Sequence, residues 1–214
     1  MTKPVPHTRP FFEQDMRPAL AADTDSVLAS GRLMMGPFKD RVEAGFRDMT
    51  GTAHAVSLNS ATTGLQIALR YAGVAGRKVL VPAASFVTDA GAVMMEGGTP
   101  VLVDCDPDTL ALDIGDLERK IDADTAAVIW VHLTGYISGD YKKIQTLAKK
   151  AGALLIEDAS HAHGAEIDGK RAGSLGDVSV YSLYPTKIIS SGTGGVMATD
   201  DPNLAAFARS LRMF

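Results

Sequence analysis

Lys187 ends the run Tyr181-Ser-Leu-Tyr-Pro-Thr-Lys and leads into Ile188-Ile-Ser-Ser-Gly-Thr-Gly-Gly195. Most lysines are solvated surface charges. Here a proline before it and a glycine turn after it fix its place by the backbone. Desolvation at such a place lowers an ammonium's pKa and frees the amine to attack an aldehyde. Asp158 ends a second apolar run, Ala153-Leu-Leu-Ile-Glu-Asp. A lysine amine and a carboxylate offered from strand ends are what pyridoxal phosphate (PLP) chemistry requires. The amine forms the Schiff base and the carboxylate pairs with the pyridinium nitrogen. A carboxylate at a strand end serves equally often as a helix cap, so Asp158 alone decides nothing.

Two further segments carry polar groups that could join this pair. Asn59-Ser-Ala-Thr-Thr-Gly64 lies between a strand and a helix. Its small residues allow close backbone approach, and the free N–H groups of a helix start favour a phosphate. Ser60, Thr62 and Thr63 add hydroxyls, although plain N-capping accounts for such residues just as well. Past Asp158 comes Ala-Ser-His161-Ala-His163-Gly164. The segment has no further His or Cys at a zinc-like spacing, so metal ligation ranks low. A histidine there suits stacking on a flat heterocycle, or a hydrogen bond to its ring oxygen. Ser182, five residues before Lys187, could reach a phosphate on the same side.

These groups must be positioned by the elements around them. Strands are expected at His54–Leu58, Lys78–Pro82, 100–104, 126–132 and 153–157. Helices are expected at 40–49, 65–71, 87–96, 114–121 and 141–150, with a short one at 23–28 and a loop over 31–38. Apolar strands separated by helices imply a parallel sheet covered on both faces. After Gly169 the pattern changes: 178–184 and Gly195–Thr199 read as strands with no helix between them, so an antiparallel element joins the sheet. The helix Pro202–Leu211 follows. In open α/β sheets ligands settle at the carboxyl ends of the strands, where all three segments converge.

Composition narrows the partners. The chain has 214 residues, 46% hydrophobic and 21% charged, with net charge −4. That balance gives no electrostatic reason to expect nucleic acid or an anionic membrane. No apolar run reaches the ~18 residues of a membrane helix, and residues 1–7 lack a signal-peptide core. Cys105 is the single cysteine, which excludes an internal disulfide and suits a reducing compartment. A cytoplasmic protein is expected, with Cys105 a buried or half-buried structural thiol.

Read in order, the motifs resemble the DegT/DnrJ/EryC1/StrS family of PLP-dependent sugar aminotransferases. They are Gly36-Pro37, Ser57-Leu-Asn-Ser-Ala-Thr-Thr-Gly-Leu65, Pro82-Ala-Ala-Ser-Phe-Val-Thr88, Ile156-Glu-Asp-Ala-Ser-His-Ala-His-Gly-Ala165, Gly173-Ser-Leu-Gly-Asp177, Tyr181 to Lys187 and Gly192-Thr-Gly-Gly195. The resemblance spans nearly the whole chain. It implies the three-layer α/β/α large domain of the aspartate aminotransferase type, with a mainly parallel sheet and one antiparallel strand. Residues 1–35 would form an N-terminal arm and helix, and 36–214 the PLP-binding large domain.

The resemblance also implies roles. Lys187 would hold PLP covalently and then act as general base and acid, and Asp158 would keep the pyridine nitrogen protonated. Phe86 would stack on one ring face, and Ser60, Ala61, Thr62 and Ser182 would bind the phosphate. His161 falls where many members carry glutamine, near the ring. The expected substrates are a nucleotide-linked keto-sugar and glutamate or glutamine as donor, turned over in a ping-pong cycle by a homodimer. A keto-cyclitol is the nearest variant substrate. Members typically continue into a small C-terminal domain, which this chain is expected to lack, so a PLP-binding fragment without turnover is a second expectation. Retention of Lys187 argues against the family's dehydratase branch, which carries histidine there. A nucleotide-binding α/β module is a third, but no Gly-x-Gly-x-x-Gly or P-loop lysine follows the first strand.

Overall fold

The computed structural model describes residues 5–6 and 9–212. The expectations for residues 1–4, 7–8 and 213–214 lie outside them. In chain order the helices are α1 (Met16–Ser30), α2 (Pro37–Thr50), α3 (Ala61–Tyr71), α4 (Val87–Met95), α5 (Ile114–Lys120), α6 (Tyr141–Ala151) and α7 (Pro202–Leu211). The strands are β1 (His54–Leu58), β2 (Lys78–Pro82), β3 (Thr99–Val103), β4 (Thr125–Val131), β5 (Leu154–Asp158), the two-residue pair β6 (Glu166–Ile167) and β7 (Lys170–Arg171), β8 (Val178–Ser182) and β9 (Gly195–Thr199).

Seven strands form one sheet in the order β1-β9-β8-β5-β4-β2-β3. All run parallel except β9, which is antiparallel to both β1 and β8. Successive strand residues point to opposite faces, and the burial follows suit. Val79, Val81, Ile129 and Ile156 pack with α3, α4 and α7 in one core. Leu80, Val128, Trp130 and Leu155 pack with α2, α5 and α6 in the other. The three-layer α/β/α sandwich with a single reversed strand is therefore as the resemblance implies.

Three local readings are corrected. The helix expected at 23–28 spans Met16–Ser30, and none of its residues is buried, so no apolar face marked its extent. The loop expected to run to residue 38 ends earlier, because Pro37 takes the first turn of α2, where its missing N–H costs nothing. The strand expected at 178–184 stops at Ser182: Leu183 already donates to Gly194 O, and its own carbonyl accepts Ser191 N–H. The β6–β7 hairpin was not anticipated, although Asp168 and Gly169, both at positive φ (51° and 72°), are an Asp-Gly hairpin signal. Cys105 is half-buried and accepts the Ala84 N–H at 3.1 Å, as a structural thiol should.

Candidate functional site

Reversing β9 is what assembles the site. Strand ends Leu58, Ser182, Asp158 and Val131 lie along one edge of the sheet, and the start of the antiparallel β9 meets that same edge. Gly195 is the partner of Leu58 on one side and of Ser182 on the other. Asp158 pairs with Val131 and Val180 in the strands beside it. A cavity of about 580 Å³ opens here. Ser60, Ala61, Thr62, Phe86, Asp158, His161, Ser182 and Lys187 all line it. Eight residues chosen across 128 positions of sequence thus share one hollow.

At one end of the hollow is the start of α3. Ser60 is the N-cap, and its Oγ accepts the Thr63 N–H at 3.1 Å. The capping reading of this residue is therefore correct. Capping leaves the N–H groups of Ala61 and Thr62 without a hydrogen bond among the described residues, directed from a helix N-terminus as an anion requires. The fit against β9 is tight: a Cβ on Gly195 would come within 2.3 Å of Ser60 C and 2.5 Å of Ala61 N. Those are backbone atoms and cannot swing aside. Gly195→Ala is expected to push the α3 start away and cost about 1–3 kcal/mol of stability, read as a lower urea midpoint at unchanged slope.

Asp158 lies deeper. It is buried, and its Oδ1 accepts the Ser160 N–H at 2.9 Å. Lys187 sits half-buried in the turn after Tyr184, whose carbonyl accepts its N–H. Its Nζ makes no hydrogen bond or ion pair among the described residues. Burial pushes the Lys187 ammonium pKa down, against the opposing pull of the Asp158 and then the Asp89 carboxyl. An amine freed in this way is poised as a nucleophile or base. His161 Nδ1 accepts the Thr134 N–H at 3.3 Å, so the proton of the neutral ring is assigned to Nε2. Burial, then the Lys187 charge, lowers its pKa. Phe86 caps α4 and is 66% exposed at the mouth.

Some motif residues stand behind the cavity. Glu157 is fully buried and accepts N–H groups from Gly173 (2.9 Å), Leu175 (2.7 Å) and Gly176 (2.6 Å), and its Oε2 is 2.7 Å from His132 Nε2. The run Gly173 to Asp177 is therefore a loop wrapped round a carboxylate. Gly173 (φ 93°) has no room for a side chain, since a Cβ would lie within 2.4 Å of Tyr181 Oη. Asp177 Oδ2 in turn takes the Leu155 N–H. Thr88, Ser160, Thr186 and Thr193 also line the cavity but were not singled out, because nothing in their spacing separates them from ordinary turn residues.

His163 faces Tyr181 and Phe46, with ring centroids 5.1 and 6.2 Å away. Both its ring nitrogens are buried, with no hydrogen-bond partner among the described residues. Burial pushes its pKa down to about 4 from an ordinary 6.5. Because the folded protein binds this proton less readily than the unfolded chain, stability falls as pH drops from about 6.5 toward about 4. His163→Phe is expected to flatten that part of the stability–pH curve, measured by urea midpoints at pH 7 and pH 5.

A sequence model described as the DegT/DnrJ/EryC1/StrS aminotransferase family matches residues 14–214. GDP-perosamine synthase of Caulobacter vibrioides is 42% identical over 191 residues, covering 89% of this chain and 50% of its own length. An L-glutamine:2-deoxy-scyllo-inosose aminotransferase of Streptoalloteichus tenebrarius is 38% identical over 211 residues, 95% of this chain and 49% of that protein. The PLP form of a putative sugar aminotransferase from Streptococcus pneumoniae superposes with a TM-score of 0.89 at 26% identity, over 97% of this chain and 57% of that one. The chain spans about half the length of the curated relatives it matches.

Proposed function

Since the chain belongs to the DegT/DnrJ/EryC1/StrS aminotransferase family, we propose that it binds PLP and serves in transfer of an amino group to a nucleotide-linked keto-sugar, with glutamate or glutamine as donor. The observation that carries this reading is the pairing, in one cavity, of an unpartnered, half-buried lysine with a buried strand-end carboxylate. The donor set fits the cofactor: a helix start with free N–H groups and Ser182 for the phosphate, Asp158 for a ring nitrogen, and Lys187 for an aldehyde. When bound, PLP supplies an aldehyde that carries the amino group and a ring that accepts electrons.

The chain's own residues do the rest. Asp158, a buried carboxyl at a strand end, would pair with the ring nitrogen and keep it protonated. Lys187, its charge disfavoured by burial, takes and returns the proton at the substrate carbon. Phe86, exposed at the cavity mouth, would cover one face of the ring and shield it from water. His161, with Nδ1 committed to Thr134, offers Nε2–H to the cavity. Glutamate or glutamine leaves as the 2-oxo acid, and the sugar ketone becomes an amine. GDP-perosamine synthase favours the nucleotide-sugar reading, while the inosose aminotransferase keeps a keto-cyclitol as the second. The large-domain assignment over 36–214, homodimer assembly and a cytoplasmic setting are part of the same proposal. Among the described residues no helix is long and apolar enough to cross a membrane.

Spectroscopy tests this directly. The protein mixed with PLP should develop a visible band that borohydride converts to a covalent adduct. Glutamate or glutamine should then bleach the band, and a nucleotide keto-sugar should restore it. A protein that stays colourless with PLP would overturn the reading, and a band indifferent to either donor would overturn the transfer step.

A further inference from the structure

Beside Asp158 lies a carboxyl that the proposed reaction does not use. Asp89 is on the first turn of α4, three residues after the N-cap Phe86. It is 0% exposed, and among the described residues neither of its oxygens has a hydrogen-bond partner. An aspartate at this helix position ordinarily accepts free N–H groups at the helix start. Asp89 accepts none. Ser85 and the Phe86 N–H favour the charged form, but less than burial and Asp158 oppose it.

We propose that Asp89 is a neutral carboxylic acid that donates its O–H to Asp158 and so holds that carboxylate in place: a positioning residue acting through Asp158. The argument is one of satisfaction. A fully buried carboxylate without a donor is very costly, whereas a protonated carboxyl needs one acceptor, and the Asp158 side chain is in hydrogen-bond contact with Asp89. Two adjoining buried carboxyls cannot both ionise, so one keeps the proton. Asp158 already accepts the Ser160 N–H on Oδ1 and opens onto the cavity, so it is placed as the acceptor and Asp89 as the donor. Burial first, and the Asp158 charge second, push the Asp89 pKa up to about 9. Asp158 holds the Lys187 ammonium pKa up more than Asp89 does.

The cofactor part of this inference rests on the PLP reading, and the protonation part does not. Isotope-edited infrared difference spectra of the protein without added PLP, wild type against Asp89→Asn, should show one protonated-carboxyl band at pH 7 that the substitution removes. With PLP bound, Asp89→Asn keeps a donor and no charge, so the pH midpoint of the visible band should stay within about half a unit of wild type. Asp89→Ala removes the donor and should weaken PLP retention about tenfold, with thermal melts confirming that both variants fold. No protonated band, or an Asn variant whose midpoint moves by a unit or more as loss of an anion demands, overturns the proposal. So does an Ala variant that retains PLP as wild type does. If no variant takes up PLP, the functional reading fails, and the infrared band decides the state of Asp89 on its own.

Discussion

Replacing Lys187 with alanine is expected to give a folded protein that no longer holds PLP through borohydride treatment and whose amino-transfer rate falls by ~10³-fold or more. The reasoning is chemical. Among the described residues lining the cavity Lys187 is the one amine, and its Nζ is tied to nothing else. On the proposed reading, covalent capture and proton transfer at the substrate carbon would both fall to this one atom, and general acid–base contributions alone are worth ~10²–10⁴-fold. Stability should hardly change, because no hydrogen bond or ion pair is lost. Desolvation already disfavours the ammonium, so its removal relieves a small penalty. The check is a set of three measurements on one preparation: absorption after PLP addition, mass after borohydride, and single-turnover conversion of donor. A variant that still forms the covalent adduct would place the reactive amine elsewhere.

The second large effect is structural. Glu157→Ala is expected to cost roughly 3–5 kcal/mol, the range for breaking a buried charged network by deleting one partner. Against a typical total of ~5–15 kcal/mol, that threatens folding at 37 °C. The deletion strands two buried N–H groups, on Gly173 and Leu175, and a half-buried one on Gly176, and removes the partner of His132 Nε2. Each unsatisfied donor costs about 1–3 kcal/mol, and relaxation of the loop recovers part of the sum. Glu157→Gln keeps one carbonyl oxygen but turns an amide donor toward other donors, so it should fall between wild type and alanine. Urea midpoints ranked wild type, Gln, Ala check the prediction. An Ala variant as stable as wild type would mean that water serves the loop equally well.

Much of this site is legible in the chain. Asp158 stands out because an apolar run ends on it, Lys187 because a proline precedes it and a glycine turn follows it, and both line the one cavity. Ser60 shows where local reading divides. Its hydroxyl caps α3, and what it leaves to the cavity is the backbone N–H of the two residues after it. Glu157 and Asp158 are neighbours in sequence, yet strand alternation sends one into the core and the other to the hollow, a distinction visible only once their opposite faces are known. Asp89 carried no signal at all. Its meaning comes from Asp158, 69 residues away, and pairwise proximity of that kind is not written in periodicity. α1 escaped for a related reason: with no buried residue it has no apolar stripe to betray its length.

The reversed strand also bears on how the molecule comes together in time. β1 has a single neighbour in the sheet, β9, so residues 54–58 stay unpaired until residues 195–199 arrive. Leu58 and Gly195 are 137 positions apart, and closing so wide a span precedes any reward from the contacts it makes. The hollow shares that timing, since the α3 start and the lysine turn are joined across this seam. Competence to take up PLP should therefore emerge with the slowest step of refolding, and a chain ending before residue 195 should hold neither the first strand nor the cofactor.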